Sequence, residues 1–341
     1  MSSSKEYDEI IREITAGFTG DPSKDLPYLK SKCEEYKDHE MAKEITRACG
    51  RMMYEMLPDD AKEDLNKAAE KDSLGTNAIL EEIKFNIYKK NYDTALQMIE
   101  GQIKKIEAAN MFQDDHVSEY HQFNEFFEEV LYRFLVKPTK EIRQADLFPY
   151  SEIYRLHGSL LIEKNRLVEA RDALQKGLHW NPVSFAMASE YIETYRMEGD
   201  MDTFFEKSVE AFKIAIHAPQ VARCFRNLGY FFTEKKLYTE SIAAYMLSMR
   251  FEKDAKQLQS ELYYISQIAG KIERPSFEQI KQYSEKYGFP VDANKDILGL
   301  AAAYGKSFLE KGEKQGAKYC LGILYELTQD NEIKKIIDSQ T

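Results

Sequence analysis

The sequence predicts an all-α protein, and three observations support that prediction. The 341 residues include only 16 glycines and 9 prolines, too few for the many turns of a β-sandwich or β-barrel of this length. Apolar residues recur at intervals of three and four, the period of a helix with one buried face, whereas no alternating run is long enough for a sheet. A pattern of compact residues also recurs at the spacing of a helical hairpin.

The composition indicates a folded chain with excess negative charge. Hydrophobic residues make up 43% of the chain and aromatic residues 12%, enough for a packed core. The formal charge of −11 argues against a general nucleic-acid binder, and the apolar stretches are too interrupted for a membrane helix. We therefore expect a cytoplasmic protein with no nucleic-acid or membrane partner. Its scattered cysteines should be reduced and mostly buried: Cys33, Cys49, Cys224 and Cys320.

Residues 1–75 predict a helical region that would form a cap or a small effector domain. The dipeptide Asp21-Pro22 predicts a helix start, because a capping carboxylate precedes a proline at the first helical position. Asn181-Pro182 repeats that signal, and Ser276 with Gln279 matches a capping box. Two apolar faces with helical spacing are present in this region: Ile10, Ile11, Ile14 and Phe18, and then Met41, Ile45, Ala48, Met52 and Met56. Further along, the amphipathic stretch from Tyr120 to Val136 predicts another helix.

Four later segments share a pair of positions twelve residues apart that are compact or apolar. The pairs are Gly158 with Ala170, Ile192 with Phe204, Gly229 with Ser241, and Gly305 with Ala317. Two antiparallel helices joined by a tight turn bring such positions together where they cross, and small side chains there allow an axial separation of ~8–10 Å. The turn between the helices favours residues that tolerate left-handed backbone, and Asn165, Gly199 and Gly312 stand there.

These segments resemble the tetratricopeptide repeats. The best copy, residues 151–184, carries the family pattern at Tyr154, Gly158, Leu161, Leu167, Ala170, Leu174, Gly177 and Pro182. Further copies span residues 185–221, 222–255 and 298–331, and residues 76–109 hold the second half of the pattern. The resemblance implies a right-handed α-solenoid of stacked antiparallel helix pairs over residues 76–341, preceded by the N-terminal cap region.

The resemblance also implies a binding groove, since fixed positions on the first helix of each repeat face the concave side in that family. Carried over to this chain, the groove residues are Arg155, Ser159, Glu190, Glu193, Arg196, Arg223, Arg226, Asn227 and Tyr230. Arginines at these positions would bind carboxylates, and Asn227 would bond an extended peptide backbone. The family's carboxylate clamp is not expected, because Ser159 and Glu190 stand where it needs asparagines. Alternatively, the arginines pair only with neighbouring glutamates.

The repeat pattern and the groove residues predict that the protein is a non-catalytic scaffold that binds a peptide or protein segment of unknown identity. We expect it to be monomeric or weakly self-associating. A second hypothesis is a peptide-responsive regulator in which residues 1–75 are the effector. A third is an enzyme that uses Asp115, His116, Glu119 and His121, which form an acidic and histidine cluster together with Asp114. We expect that cluster to be a solvated helix start rather than a metal site, because His121 would lie about 140° around a helix from His116.

No cofactor or catalytic residue is predicted. Gly305-Lys306-Ser307 resembles part of a phosphate-binding loop, but five residues rather than four separate Gly299 from Gly305 and no strand precedes them, so we expect a helix there. His217 falls inside a repeat, where packing or surface placement is expected.

Overall fold

A computed structural model describes residues 2–109, 111–252, 256–270 and 272–340. Over these residues the chain forms seventeen α-helices, one short 3-10 helix (Ala211–Lys213) and two strands of four residues, which confirms the all-α class. No helix in the described ranges combines the length and the apolar character needed to cross a bilayer. The third predicted repeat ends in residues 253–255, which lie outside the described residues.

Two compact units make up the chain. The first unit contains Met1–Phe123, Lys137–Lys164 and His179–Asn181, and the second unit contains Asn124–Val136, Asn165–Leu178 and Pro182–Thr341. The helices of the first unit are α1 (Ser2–Ala16), α2 (Pro22–Glu35), α3 (Ala42–Glu55), α4 (Asp59–Tyr88), α5 (Tyr92–Ala109) and α7 (Tyr150–Glu163). Helix α4 is continuous across residue 75, where the sequence suggested a domain boundary.

The start of the first unit matches its sequence signals. Helix α2 begins at Pro22, and the Asp21 carboxylate accepts a hydrogen bond of 3.0 Å from the backbone N–H of Ser23. The two predicted apolar faces pack into one core cluster around the buried side chains of Ile14 and Ile45. The predicted helical faces of this region are therefore confirmed.

A two-stranded parallel sheet in the first unit corrects the prediction that the chain has no sheet. Strand β1 (Ser118–His121) pairs with β2 (Glu141–Gln144), with Ser118 opposite Glu141. The helix predicted from Tyr120 is wrong over its first residues, since α6 begins only at Phe126. The local cause is a set of hydrogen bonds that holds β1 extended along both of its edges.

One edge of β1 bonds to β2, and the other edge bonds to two carboxylates. Asp115 accepts hydrogen bonds from the backbone N–H of Val117 at 2.9 Å and of Ser118 at 2.7 Å. Asp114 accepts one of 2.8 Å from the backbone N–H of Tyr120. Backbone groups satisfied in this way gain nothing from a helical turn.

The second unit is built from consecutive helices that pack in pairs. They are α6 (Phe126–Val136), α8 (Leu167–Trp180, whose end belongs to the first unit), α9 (Phe185–Glu198), α10 (Met201–Glu210), α11 (Ala218–Glu234), α12 (Tyr238–Phe251), α13 (Lys256–Ala269), α14 (Phe277–Tyr287), α15 (Lys295–Glu310), α16 (Lys314–Thr328) and α17 (Asn331–Ser339). Helix α9 contacts α10, α10 contacts α11, α11 contacts α12, and α15 contacts α16.

The turns of this unit have the predicted left-handed backbone. The φ angle is 57° at Asn165, 85° at Gly199 and 73° at Gly312, and Lys236 takes the same role between α11 and α12 with a φ of 60°.

Among the predicted helix starts of this unit, the capping box at Ser276 is confirmed. The helix start predicted at Asn181-Pro182 is wrong, because α9 begins at Phe185 with Ser184 as its cap.

The predicted close approach of paired helices is confirmed at two glycines. A β-carbon on Gly229 would lie 2.6 Å from the Tyr245 ring, and one on Gly305 would lie 2.7 Å from Leu321. Ser241, twelve residues after Gly229, donates a hydrogen bond of 2.8 Å to the Gly229 carbonyl. Helices α11 and α12 therefore approach so closely that only hydrogen fits at residue 229.

Candidate functional site

Helices α9 to α13 of the second unit surround a cavity of about 370 Å³. The residues that line it are Glu193, Arg196, Phe204, Arg223, Arg226, Asn227, Tyr230, Tyr245 and Glu261. Six of the nine predicted groove residues are among them: Glu193, Arg196, Arg223, Arg226, Asn227 and Tyr230. Those on α11 recur at intervals of three and four, which places them on one helix face.

Buried aromatic side chains line part of the cavity. Phe204 is fully buried, and Tyr245 is 1% exposed. The Tyr230 ring meets Phe204 edge to face, with centroids 6.0 Å apart. Tyr245 donates its hydroxyl to Glu261 at 3.4 Å, and burial raises the pKa of that phenol, so it remains a donor.

Arg196 is held by a neighbour on its own helix. Its guanidinium Nε lies 2.9 Å from both carboxylate oxygens of Glu193, and that hydrogen bonding raises the arginine pKa further. Its Cζ also lies 5.1 Å from the Tyr230 ring centroid. The Arg196 charge is therefore already neutralised by Glu193. This is the internal pairing with glutamates that the sequence offered as an alternative to ligand binding.

Of the other two arginines of the cavity, one has a carboxylate partner among the described residues and the other has none. Arg226 donates to Glu252 at 2.6 Å. Arg223, half-buried on the same helix face, forms no hydrogen bond or ion pair with any described residue. Asn227 donates to Ser208 Oγ at 3.1 Å, and its side-chain carbonyl keeps its acceptor capacity. Arg223 is thus the uncompensated arginine of this cavity, in the sense that no carboxylate of the described residues forms a hydrogen bond or ion pair with it.

The remaining predicted groove residues lie elsewhere. Glu190, half-buried on α9, does not line the cavity. Arg155 and Ser159 lie on α7 in the first unit, and the buried Ser159 hydroxyl has no hydrogen-bond partner among the described residues. The sequence did not predict the other three lining residues. Phe204 and Tyr245 lie on the second helices of their repeats, which were not considered, and Glu261 lies on α13, outside the predicted repeats.

The acidic and histidine cluster is not a helix start, which corrects the sequence interpretation. Asp114 and Asp115 bond to the backbone of β1, and Asp115 also pairs with Arg47 at 2.5 Å. His116 instead lies 2.7 Å from Glu44, through its Nδ1 atom. In the described part of the chain, no three histidine, cysteine, aspartate or glutamate side chains converge in a way that could hold a metal ion.

The fragment Gly305-Lys306-Ser307 lies within α15, which confirms the expected helix. The nine lining residues of the cavity include no serine, cysteine or histidine. What they offer is a guanidinium, an amide and aromatic faces, which are groups that bind a carboxylate and an extended backbone. The chain matches no protein-family model, and no curated protein matches it in sequence.

Proposed function

We propose that this chain is a non-catalytic scaffold of tetratricopeptide-like helical repeats that binds an acidic peptide or protein segment in the α9–α13 cavity. The observation that supports it is that six residues chosen from the repeat pattern line one cavity and include an uncompensated arginine. The stacked solenoid, the N-terminal cap and a cytoplasmic location belong to the same proposal. The sequential packing of α9 to α12 supports the stacking.

Arg223 would be the principal contact for the ligand. A guanidinium presents a planar fork of donors that fits a carboxylate in a bidentate arrangement. Arg196 and Arg226 are already bonded to glutamates, so a ligand gains less from them. Binding a carboxylate at Arg223 would neutralise a half-buried charge, which favours an acidic ligand over a neutral or basic one.

Asn227 and Tyr230 would fix the orientation of the bound segment. Both lie on the same face of α11, four and seven residues after Arg223. The Asn227 amide oxygen would accept from a peptide N–H, and the Tyr230 ring would pack against an apolar side chain. A cavity of about 370 Å³ has room for a few residues of the segment, with the rest outside.

The test is the capture of acidic peptides from a peptide array, followed by fluorescence anisotropy on the captured sequences. We expect Arg223→Glu to weaken binding by about tenfold or more, because it removes a charge-assisted hydrogen bond and adds a repelling carboxylate. Arg226 is not substituted, because its removal would leave the Glu252 carboxylate without its arginine partner. The control Lys306→Glu makes the same charge change at an exposed position on α15 and should bind like the wild type. Equal capture by all three proteins would contradict the proposal.

A further inference from the structure

A second cavity, of about 750 Å³, lies in the first unit. It shares no lining residue with the cavity described above. Its walls are one face of α3, the loop after α5 and strand β2. Clefts of this size accept an organic molecule of the dimensions of a cofactor or metabolite.

Two of the three arginines that line this cavity are neutralised by carboxylates. Arg47 donates to Asp115 at 2.5 Å. Arg143 donates to Glu141 at 2.5 Å and to the Ser118 hydroxyl at 2.9 Å. These pairs hold the wall in place and leave little net charge of their own.

The third arginine, Arg51, has no such partner. Within the described ranges its guanidinium lies near the Tyr7 phenol and has no carboxylate partner. The other acidic lining residue, Glu55, lies 3.8 Å from Lys62. The cavity therefore carries one half-buried positive charge that the fold does not neutralise, and most of its five donors are available.

Aromatic rings stand beside this charge. Tyr54, Phe112 and Tyr120 line the cavity, and the rings of the last two are 5.6 Å apart. Phe112 has a φ of 56°, in the left-handed region that residues with a β-carbon rarely occupy. Asn165 and Lys236 adopt the same backbone at helix turns, so it is the three rings, and not this angle, that the cavity offers to a ligand.

Gly50, in the interior of α3, contributes no side chain to the wall of this cavity. Apart from the backbone of its own helix, a β-carbon on Gly50 would meet no atom of the described residues within 4 Å. Packing against the described residues therefore does not require glycine, and a glycine inside a helix makes that helix less stable than alanine would. Gly50 is exposed and lines this cavity and also a neighbouring cavity between α2 and α3.

We propose that this cavity binds a small organic anion that carries an aromatic ring. The anionic group, a carboxylate or a phosphate, would bond to Arg51, for which either is a good bidentate partner. The ring would lie along Gly50 and pack against Tyr54 and Phe112, in the offset or edge-to-face arrangements that aromatic rings prefer.

Isothermal titration calorimetry with three matched compounds tests this proposal. The probes are naphthalene-2-carboxylate, 2-naphthyl phosphate and the uncharged naphthalene-2-carboxamide. We expect at least one anion to bind saturably with one molecule per chain, and the carboxamide to bind at least about tenfold more weakly. The ranking of the two anions identifies the preferred headgroup. Failure of both anions to bind the wild-type protein saturably would overturn the proposal.

Two variants locate the site. Arg51→Gln should weaken binding of the anion by about tenfold or more, because it removes the charged donor. Gly50→Leu keeps that charge and the helix, but it places a bulky side chain on the cavity wall where the ring would lie, and it should weaken binding by about tenfold or more. Arg12→Gln removes an exposed arginine of the same unit and should bind like the wild type. Wild-type affinity in either Arg51→Gln or Gly50→Leu would overturn the proposal.

Discussion

The imidazole Nδ1 of His217 lies 2.9 Å from Oε2 of Glu326, immediately before α11 begins. Its other nitrogen lies 3.2 Å from Glu125, and Tyr319 donates its hydroxyl to that same carboxylate at 2.5 Å. A histidine held between two carboxylates binds its second proton strongly, and the pKa of His217 is raised to about 10. Within the second unit, this group joins α11 to α16 and to the residue before α6.

The stability that His217 contributes should therefore depend on pH. An unfolded histidine titrates near pH 6.5, so the contribution is complete below pH 6.5 and is lost as the pH rises to about 10. We expect His217→Gln to lower the free energy of unfolding by about 1.5–3 kcal/mol at pH 6, the range for hydrogen bonds to charged groups, with solvent screening favouring the lower end.

Urea unfolding of both proteins at pH 6, 8 and 10 measures this dependence. The difference between wild type and variant should shrink as the pH rises, because the neutral imidazole no longer attracts both carboxylates. A difference that stays constant from pH 6 to pH 10 would show that His217 acts through packing alone.

Asp115 should be a structural carboxylate of the first unit. Its side chain is 4% exposed, pairs with Arg47 and accepts two backbone N–H groups of the β1 segment. Asp115→Ala removes these acceptors and leaves the Arg47 guanidinium with the Gln113 carbonyl but no counter-charge, so we expect a loss of about 3–5 kcal/mol in unfolding free energy. Chemical denaturation measures the loss. Asp38→Ala, at an exposed position, is the control and should change stability by less than about 0.5 kcal/mol. A loss below about 1 kcal/mol for Asp115→Ala would contradict the structural role.

The sequence predicted the features of this fold that depend on short-range spacing. The compact residue Gly229 and its partner Ser241 are twelve positions apart on one hairpin, so the helix period alone brings them together. The left-handed turn at Gly199 follows from residue type, since glycine adopts that backbone without steric cost. The face of α11 that carries Arg223 and Asn227 followed from the repeat positions.

Features that depend on long-range pairing could not be predicted in this way. Strand β1 exists because residues some twenty positions later pair with it, and a four-residue strand has too little alternation to detect. Nothing in the local sequence joins His217 to Glu326, more than a hundred residues further along the chain. Likewise, the sequence placed several arginines on one face, but only the geometry shows that Arg223 has no carboxylate partner among the residues that the structure describes.

Gly229 offers the sharpest test of the helix crossing. In Gly229→Ala the new β-carbon would lie 2.6 Å from the ring of Tyr245, which is 1% exposed and has little room to move. We expect a loss of about 1–3 kcal/mol in unfolding free energy, the cost of overpacking a dense core. Urea unfolding monitored by circular dichroism measures this loss.

Gly299→Ala is the matched control, because Gly299 also lies inside a helix, α15. Beyond the backbone of that helix, no atom of the described residues lies within 4 Å of its β-carbon position. Alanine there should raise the free energy of unfolding by about 0.5–1 kcal/mol through helix propensity alone. The two substitutions are chemically identical, so opposite signs can arise only from the distance between the helix axes at residue 229. If both variants became more stable, α11 and α12 would not approach as closely as the contact between Gly229 and Tyr245 requires.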